Sequence, residues 1–278
     1  MKTTSRVYTA LIMIFLYAPI AVLIFFSFNS SKSNAVFESF SLRWYKELFN
    51  DTQILQALKN TLIIAGLSAL ISTVLGTAAA VGIDMYRKKW QKSLVLTVTN
   101  FPMMNPDIVT GVSMMLLFVF ASKLLNINGI LGFWTILIAH ITFNLPYVIL
   151  SVLPKLRQTD PHLAEAAMDL GCTPVRAFFK VVLPAIRPGI VTGMIMAFTL
   201  SLDDFIISNF TTETFQTLPL QIYSMTKKHV TPSINALSTL IFATILLLLI
   251  LSNVTQSRAE SKLNKEIREG KKQKRGNN

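Results

Sequence analysis

Six long apolar runs divide the chain, at 7–28, 61–83, 94–120, 130–153, 189–210 and 234–254, and the segments between them are polar and mostly short. Each run approaches the roughly 20 residues that an α-helix needs to cross a bilayer. The pattern predicts an all-α integral membrane protein with six transmembrane helices. Six is even, so both termini fall on one side. The first run follows Lys2 and Arg6 and ends Phe25-Phe26-Ser27-Phe28 without a small-x-small cleavage site, which predicts an uncleaved signal-anchor. Three runs are interrupted by polar residues or proline. The third carries Asn100-Phe101-Pro102-Met103-Met104-Asn105-Pro106-Asp107, the fourth carries His140, Asn144 and Pro146, and the fifth ends in Ser201-Leu202-Asp203-Asp204-Phe205. Proline removes a helical hydrogen bond that lipid cannot replace, so a break at that depth has to face protein or a wet cavity.

The segment 154–188 has its own pattern. Asp160 with Pro161 is a helix start and Gly171 a helix stop; Thr173 with Pro174 repeats the start, and Leu183-Pro184 the stop. Two short helices are expected, the first with Leu163, Ala167 and Leu170 on one face, the second with an apolar stripe of Val175, Phe178, Phe179 and Val182 beside basic Arg176 and Lys180. Such a helix–turn–helix can plug the floor of a bundle or dock on another protein, and periodicity leaves both open. Residues 29–60 are too short for a domain. Ser41 is placed to cap an amphipathic helix carrying Leu42, Tyr45, Leu48 and Phe49, with Trp44 and Tyr45 suited to the headgroup layer. In 211–233, Thr217-Leu218-Pro219 and Thr231-Pro232 are further helix starts. The chain thus divides into a first helix with its external segment, 1–56, a transmembrane domain, 57–254, and a basic tail, 255–278, that frays into solution.

Charge orients the runs. Lysine and arginine number two before the first run, four in 84–93, five in 154–188 and eight after 254, which is nineteen of the 26. The positive-inside bias therefore puts both termini and the 154–188 loop in the cytoplasm. The same bias accounts for the net charge of +12, so nothing in the basic excess calls for nucleic acid. The single cysteine, Cys172, excludes an intrachain disulfide and a cysteine-based metal cluster. The three histidines are far apart, and His140 reads as a packing histidine rather than a metal ligand. No Walker, GxSxG or HExxH motif is present, so no residues are placed for catalysis and no cofactor is implied.

Three carboxylates stand in or near apolar runs, where a charge costs about 2.5–3.5 kcal/mol and so usually faces a pathway or a partner. At ~1.5 Å per residue, Asp107 lies roughly 20 Å along an outward-rising third helix, near the midplane, and Asp203 and Asp204 lie roughly 21–23 Å along the fifth. Cations are scarce in these runs, so a cationic substrate or a watery vestibule is the natural complement. Asp107 reads equally well as an acid in the first turn after an Asn105-Pro106 start. Asp203 and Asp204 point about 100° apart on a helix, which leaves one of them for the lumen.

Glu165-Ala166-Ala167, Gly171 after three residues, and Val181-x-Leu183-Pro184 after nine more resemble the EAA loop of bacterial ABC-importer permeases, with valine for isoleucine at 181. Further along, Met104-Asn105-Pro106-Asp107-Ile108-Val109, His140-Ile141-Thr142-Phe143, Leu200-Ser201-Leu202-Asp203-Asp204 and Leu218-Pro219-Leu220-Gln221-Ile222-Tyr223-Ser224-Met225 resemble spermidine/putrescine permeases of the PotC type. A departure follows the fifth run, where Thr211-Thr212-Glu213-Thr214 replaces a glycine-containing loop. The resemblance implies the type I ABC importer permease fold in a bacterial cytoplasmic membrane. It also implies a second homologous permease, an ATPase dimer that binds the ATP, and an extracytoplasmic polyamine-binding protein. Glu165, Ala166, Ala167, Gly171, Leu183 and Pro184 would form the coupling segment against the ATPase, and Asp107, Asp203 and Asp204 the pathway. Uptake of another cation or of an oxyanion is the alternative within the class. An oxyanion is opposed by the three acids, and a secondary transporter by the lack of matching broken segments.

Overall fold

Helix dominates the chain because its runs are too long for strands and their backbone must be satisfied internally in lipid. The structure, a computed structural model, describes residues 2–31, 36–86, 88–126, 129–160, 162–228, 232–247 and 249–250. In order these form α1 (Lys2–Ser27), α2 (Arg43–Asn50), α3 (Thr52–Met85), α4 (Lys89–Met104), α5 (Asp107–Leu125), α6 (Phe133–Gln158), α7 (His162–Asp169) and α8 (Pro174–Ala177). A π turn (Phe178–Val182) leads into α9 (Leu183–Asp203), and α10 (Ile206–Thr211) and α11 (Leu218–Lys228) follow. A shorter apolar helix, α12, covers Pro232–Leu247. Among the described residues five helices are long and apolar enough to cross a membrane. Among the described residues the only β-pairing is an isolated bridge between Asn29 and Phe40. The basic tail, Pro161 and Thr231 lie outside the described residues.

Two compact units emerge. One comprises the chain through Lys59 with α11 and α12, and the other Asn60–Gln216. In the first, Leu48, Ile54, Ala57, Leu218 and Leu237 form the core. The α2 face differs from the expected one, since Trp44 and Leu48 are buried whereas Leu42 and Phe49 are exposed. Trp44 turns inward because its indole N–H donates to the Asn29 carbonyl at 2.6 Å, so it is not a headgroup anchor. Tyr45 packs on Phe28 and bonds Ser27.

The second unit is built on three helices that each bury a stripe repeating every fourth residue. On α3 the stripe is Ser68, Ser72, Gly76 and Ala80; on α6, His140, Asn144, Val148 and Val152; on α9, Gly189, Gly193, Ala197 and Ser201. Lipid supplies no hydrophobic drive between such helices, so small residues that let backbones approach carry the packing. A Cβ on Gly189 would lie 2.9 Å from the Ser151 carbonyl oxygen, and one on Gly76 2.7 Å from Val148 Cγ1. Val148 is thereby held between Gly76 of α3 and Gly193 of α9. One end of the three stripes is apolar, and the other end is serine, asparagine and histidine.

Three expected boundaries are displaced. The third run breaks at Asn105-Pro106 into α4 and α5, as its prolines require, but Asn105 does not cap α5. Pro106 holds that position, and no side-chain cap bond is made. The fifth helix ends at Asp203 instead of running to 210, because the Asp204 carboxylate takes the amides that would continue it. Nor does Leu183-Pro184 stop a helix. The chain is helical from Pro174 to Asp203, with the ring of Pro184 accommodated by the π turn, in which the Leu183 N–H bonds the Phe178 carbonyl five residues back.

Candidate functional site

The two adjacent aspartates at the end of α9 have opposite surroundings. Asp204 leaves the helix in extended backbone (φ −65°, ψ 119°). Its carboxylate accepts from the Ile207 amide at 3.2 Å and the Ser208 amide at 2.8 Å, and from Ser208 Oγ at 2.9 Å. It is the start signal of α10 and its side chain is only 8% exposed, with His140 Nε2 3.4 Å away. Asp203, one residue earlier, is exposed. Among the described residues no lysine, arginine or histidine pairs with Asp203 or Asp107. The two aspartates therefore do not share a helix with a 100° offset. One is consumed by the fold and the other is presented. Asp107 is the first residue of α5 and is exposed; one turn on, Gly111 lies against Phe210 of α10.

His140 is central to the buried end of the stripes. Its Nδ1 lies 2.5 Å from Ser201 Oγ and its Nε2 3.0 Å from Ser208 Oγ. Ser68 Oγ donates to Ser201 Oγ at 3.0 Å, and Asn144 Nδ2 donates to Ser68 Oγ at 3.5 Å. All five partners of this chain are buried. Periodicity missed the network, although His140 and Asn144, and Ser68 and Ser72, stand at the four-residue spacing that would have placed them on one face. The departure at Thr211–Thr214 is pinned to the start of α6. Thr135 Oγ1 donates to the Thr211 carbonyl at 2.8 Å, and Thr212 Oγ1 accepts from the Phe215 amide at 2.9 Å.

The 154–188 loop forms both of its helices. Asp160 Oδ1 accepts from the His162 amide at 2.9 Å, and Thr173 Oγ1 from the Arg176 amide at 3.4 Å. The stop between them is a Schellman ending. Gly171 has φ +86°, its N–H bonds the Met168 carbonyl at 2.8 Å, and the Cys172 N–H bonds the Ala167 carbonyl at 3.1 Å. Ala167 and Ala177 are the buried residues of α7 and α8, and their small side chains let the two helices touch. Of the residues expected on one face, Ala167 is buried, whereas Leu163 and Leu170 are exposed, Leu170 by 88%. Glu165, Ala166 and Gly171 are exposed too, Leu183 packs against the core, and Pro184 is exposed beside the π turn. A cavity of about 530 Å³ separates the loop from the bundle, lined by Asp84, Arg157, Asp160, Ala164, Phe178 and Val182. In its lining Asp84 pairs with Lys92 at 2.7 Å and approaches Arg157 at 3.9 Å. His162 Nδ1 lies 2.9 Å from Glu165 Oε2, and this hydrogen bond, with the charges of Glu165 and Asp160, raises the His162 pKa above its ordinary value.

Residues 72–265 match the family described as binding-protein-dependent transport system inner membrane component. The putrescine transport system permease protein PotI of Escherichia coli K12 is 38% identical over 260 residues, 93% of this chain and 92% of that protein. The spermidine/putrescine transport system permease protein PotC of the same strain is 39% identical over 241 residues, 86% of this chain and 89% of that protein. Among solved structures, a bacterial ABC transporter involved in the import of the acidic polysaccharide alginate shares the fold. Its TM-score is 0.70 at 18% identity, over 92% of this chain and 95% of that one. An amino acid ABC transporter with histidines matches with a TM-score of 0.56 at 20% identity, over 77% and 98% of the two chains.

Proposed function

The chain belongs to the binding-protein-dependent transport system inner membrane components, and from that premise we propose that it is a permease subunit of an ATP-driven importer carrying putrescine and spermidine into the cytoplasm. The observation that carries the substrate class is identity to PotI and PotC across nearly the whole chain. The exposed carboxylate of Asp203 and the free first-turn carboxylate of Asp107 suit a cargo with several positive charges. They attract it without enclosing it, and a conduction pathway needs weak binding that permits release.

The rest of the machine follows the family. A second homologous permease completes the pathway, an extracytoplasmic binding protein delivers polyamine, and an ATPase dimer below hydrolyses ATP. The subunit itself is not an enzyme and holds no cofactor. ATP-driven closure of the ATPases moves α7, and the bundle alternates between inward- and outward-facing states. Glu165, Ala166, Ala167 and Gly171 form the docking segment, with Ala167 seating α7 on α8, while Leu183 and Pro184 join the loop to α9. The test is ATP-dependent uptake of labelled putrescine and spermidine by the complete importer in proteoliposomes. Saturable uptake is expected, with Asp203→Asn raising KM. Uptake of neither polyamine by a complex whose ATPase responds to another loaded binding protein would overturn the substrate assignment.

A further inference from the structure

The break between α9 and α10 leaves the direction of Asp203 unfixed by backbone alone. The helix ends at Asp203, Asp204 is extended, and α10 starts at Ile206. A ring from a third helix crosses the break. His140 of α6 meets Ser201, two residues before Asp203 on the last turn of α9, and with its other nitrogen meets Ser208 and Asp204 on the α10 side.

The donors around the ring agree on one arrangement. Ser208 Oγ gives its proton to Asp204 Oδ2, so toward His140 it accepts, and Nε2 carries the hydrogen. Ser68 Oγ reaches Ser201 Oγ at 3.0 Å and the Ala65 carbonyl at 3.3 Å; with its hydrogen on the shorter contact, the Ser201 hydrogen points to Nδ1. A one-way chain results, from Asn144 through Ser68, Ser201, His140 and Ser208 to the Asp204 carboxylate. Among the described residues Asn144 Oδ1, at its origin, is buried without a hydrogen-bond partner. From Ser68 to Asp204 every member is paired; paired polar chains in a low-dielectric interior rigidify what they connect, and a missing member leaves its neighbours unpaired. An apolar residue of similar size would fill the same space without joining α9 to α10.

We propose that His140 is a positioning residue for the substrate carboxylate: by bridging Ser201 to Ser208 and Asp204 it locks the α9–α10 break and fixes the direction in which Asp203 meets the cationic cargo. This rests on Asp203 being the polyamine-facing acid. Asp204, next to it, is then a structural anion, and its charge is not offered to substrate.

The test is a set of cycles in the complete reconstituted importer, using putrescine and spermidine as probes. The variants are His140→Leu, His140→Gln, Ser201→Ala, Asp203→Asn and the doubles of the first three with Asp203→Asn. His140→Leu is expected to raise KM roughly tenfold, mid-range for coupled neighbours, with the maximal rate and stimulated ATPase within about twofold. His140→Gln, whose amide can still donate to Ser208 and Asp204, should recover part of the loss. Ser201→Ala, which removes one oxygen and opens no large cavity, should raise KM less than His140→Leu. In the Asp203→Asn background none of the three should raise KM further. If His140→Leu does not assemble, the His140→Gln and Ser201→Ala cycles carry the same expectation. Effects that multiply fully with Asp203→Asn, or an unchanged KM in every single variant at 140 and 201, would overturn the positioning role while leaving Asp203 as substrate acid. An unchanged KM in Asp203→Asn would overturn the acid's assignment, and the positioning role with it.

Discussion

Two neighbouring aspartates with the same chemistry are expected to fail in different ways. Asp204→Asn keeps one oxygen acceptor but loses the charge that holds two amides and a hydroxyl. An amide N–H₂ then stands where an oxygen accepted, a buried donor loses its partner, and the protein should be destabilised by about 1–3 kcal/mol, visible as a lower thermal midpoint in detergent. Asp203→Asn should leave that midpoint unchanged and appear only in transport. A midpoint shift in Asp203→Asn equal to that of Asp204→Asn would refute the assignment. The exposed pair His162–Glu165 gives a pH-dependent contact. Because the His162 pKa is raised by Glu165, the contact is fully present below the ordinary histidine value of about 6.5 and fades as pH rises through the raised one. Replacing Glu165 with glutamine should lower the His162 titration midpoint by NMR. A midpoint that stays put would mean the imidazole is not held by that carboxylate.

At the level of elements, the close crossing of α6 with α9 makes a sharp forecast. Gly189→Ala puts a methyl 2.9 Å from the Ser151 carbonyl, a backbone atom that cannot step aside. Overpacking of that kind costs about 1–3 kcal/mol, and the purified protein should melt lower. Gly66→Ala, with nothing within 4 Å of the new Cβ, should melt at or above the parent temperature. Equal melting of the two variants would show that the α6–α9 approach is not set by glycine. The contrast also marks what was legible in the sequence. The helices, the break at Asn105-Pro106 and both helices of the loop were readable, since runs, prolines and capping residues act locally. The Gly189–Gly193–Ala197–Ser201 stripe was equally local in spacing, but its meaning depends on which helix faces it. Asp204 was unreadable for a related reason. Whether a carboxylate caps the next helix or faces a lumen is decided by where the chain turns, and that turn is stabilised by His140, sixty-odd residues away. At Pro184 a local rule gave the wrong answer, because one π turn removes the clash that would have ended the helix.

Across the whole molecule, the proposed roles put drive and selection on different parts of the chain, which predicts a separation in kinetics. The proposed docking segment is rigid where it would have to transmit force. Asp160 and the Schellman ending fix both ends of α7, and Ala167 fixes its inner face, so a push on Glu165 and Ala166 moves the helix as a body. Gly171 at φ +86° is the weak point of that arrangement, because a β-carbon in left-handed backbone costs roughly 1–2 kcal/mol and the Ala167–Cys172 closure would strain or open. Gly171→Ala should therefore insert and assemble, bind polyamine with unchanged KM, and lower both maximal uptake and stimulated ATP hydrolysis. Glu165→Arg, which leaves the helix ending intact, reverses an exposed charge and removes its contact with His162, should show the same signature if that surface meets the ATPase. Asp203→Asn should show the opposite one, with KM raised and ATP hydrolysis at saturating polyamine retained. Proteoliposome uptake with parallel phosphate release distinguishes them. If Gly171→Ala and Glu165→Arg change KM and leave the maximal rates untouched, α7 does not carry the drive, and the exposed apolar residues beside it, Leu170 and Phe179, need another explanation than a buried contact in the assembled importer.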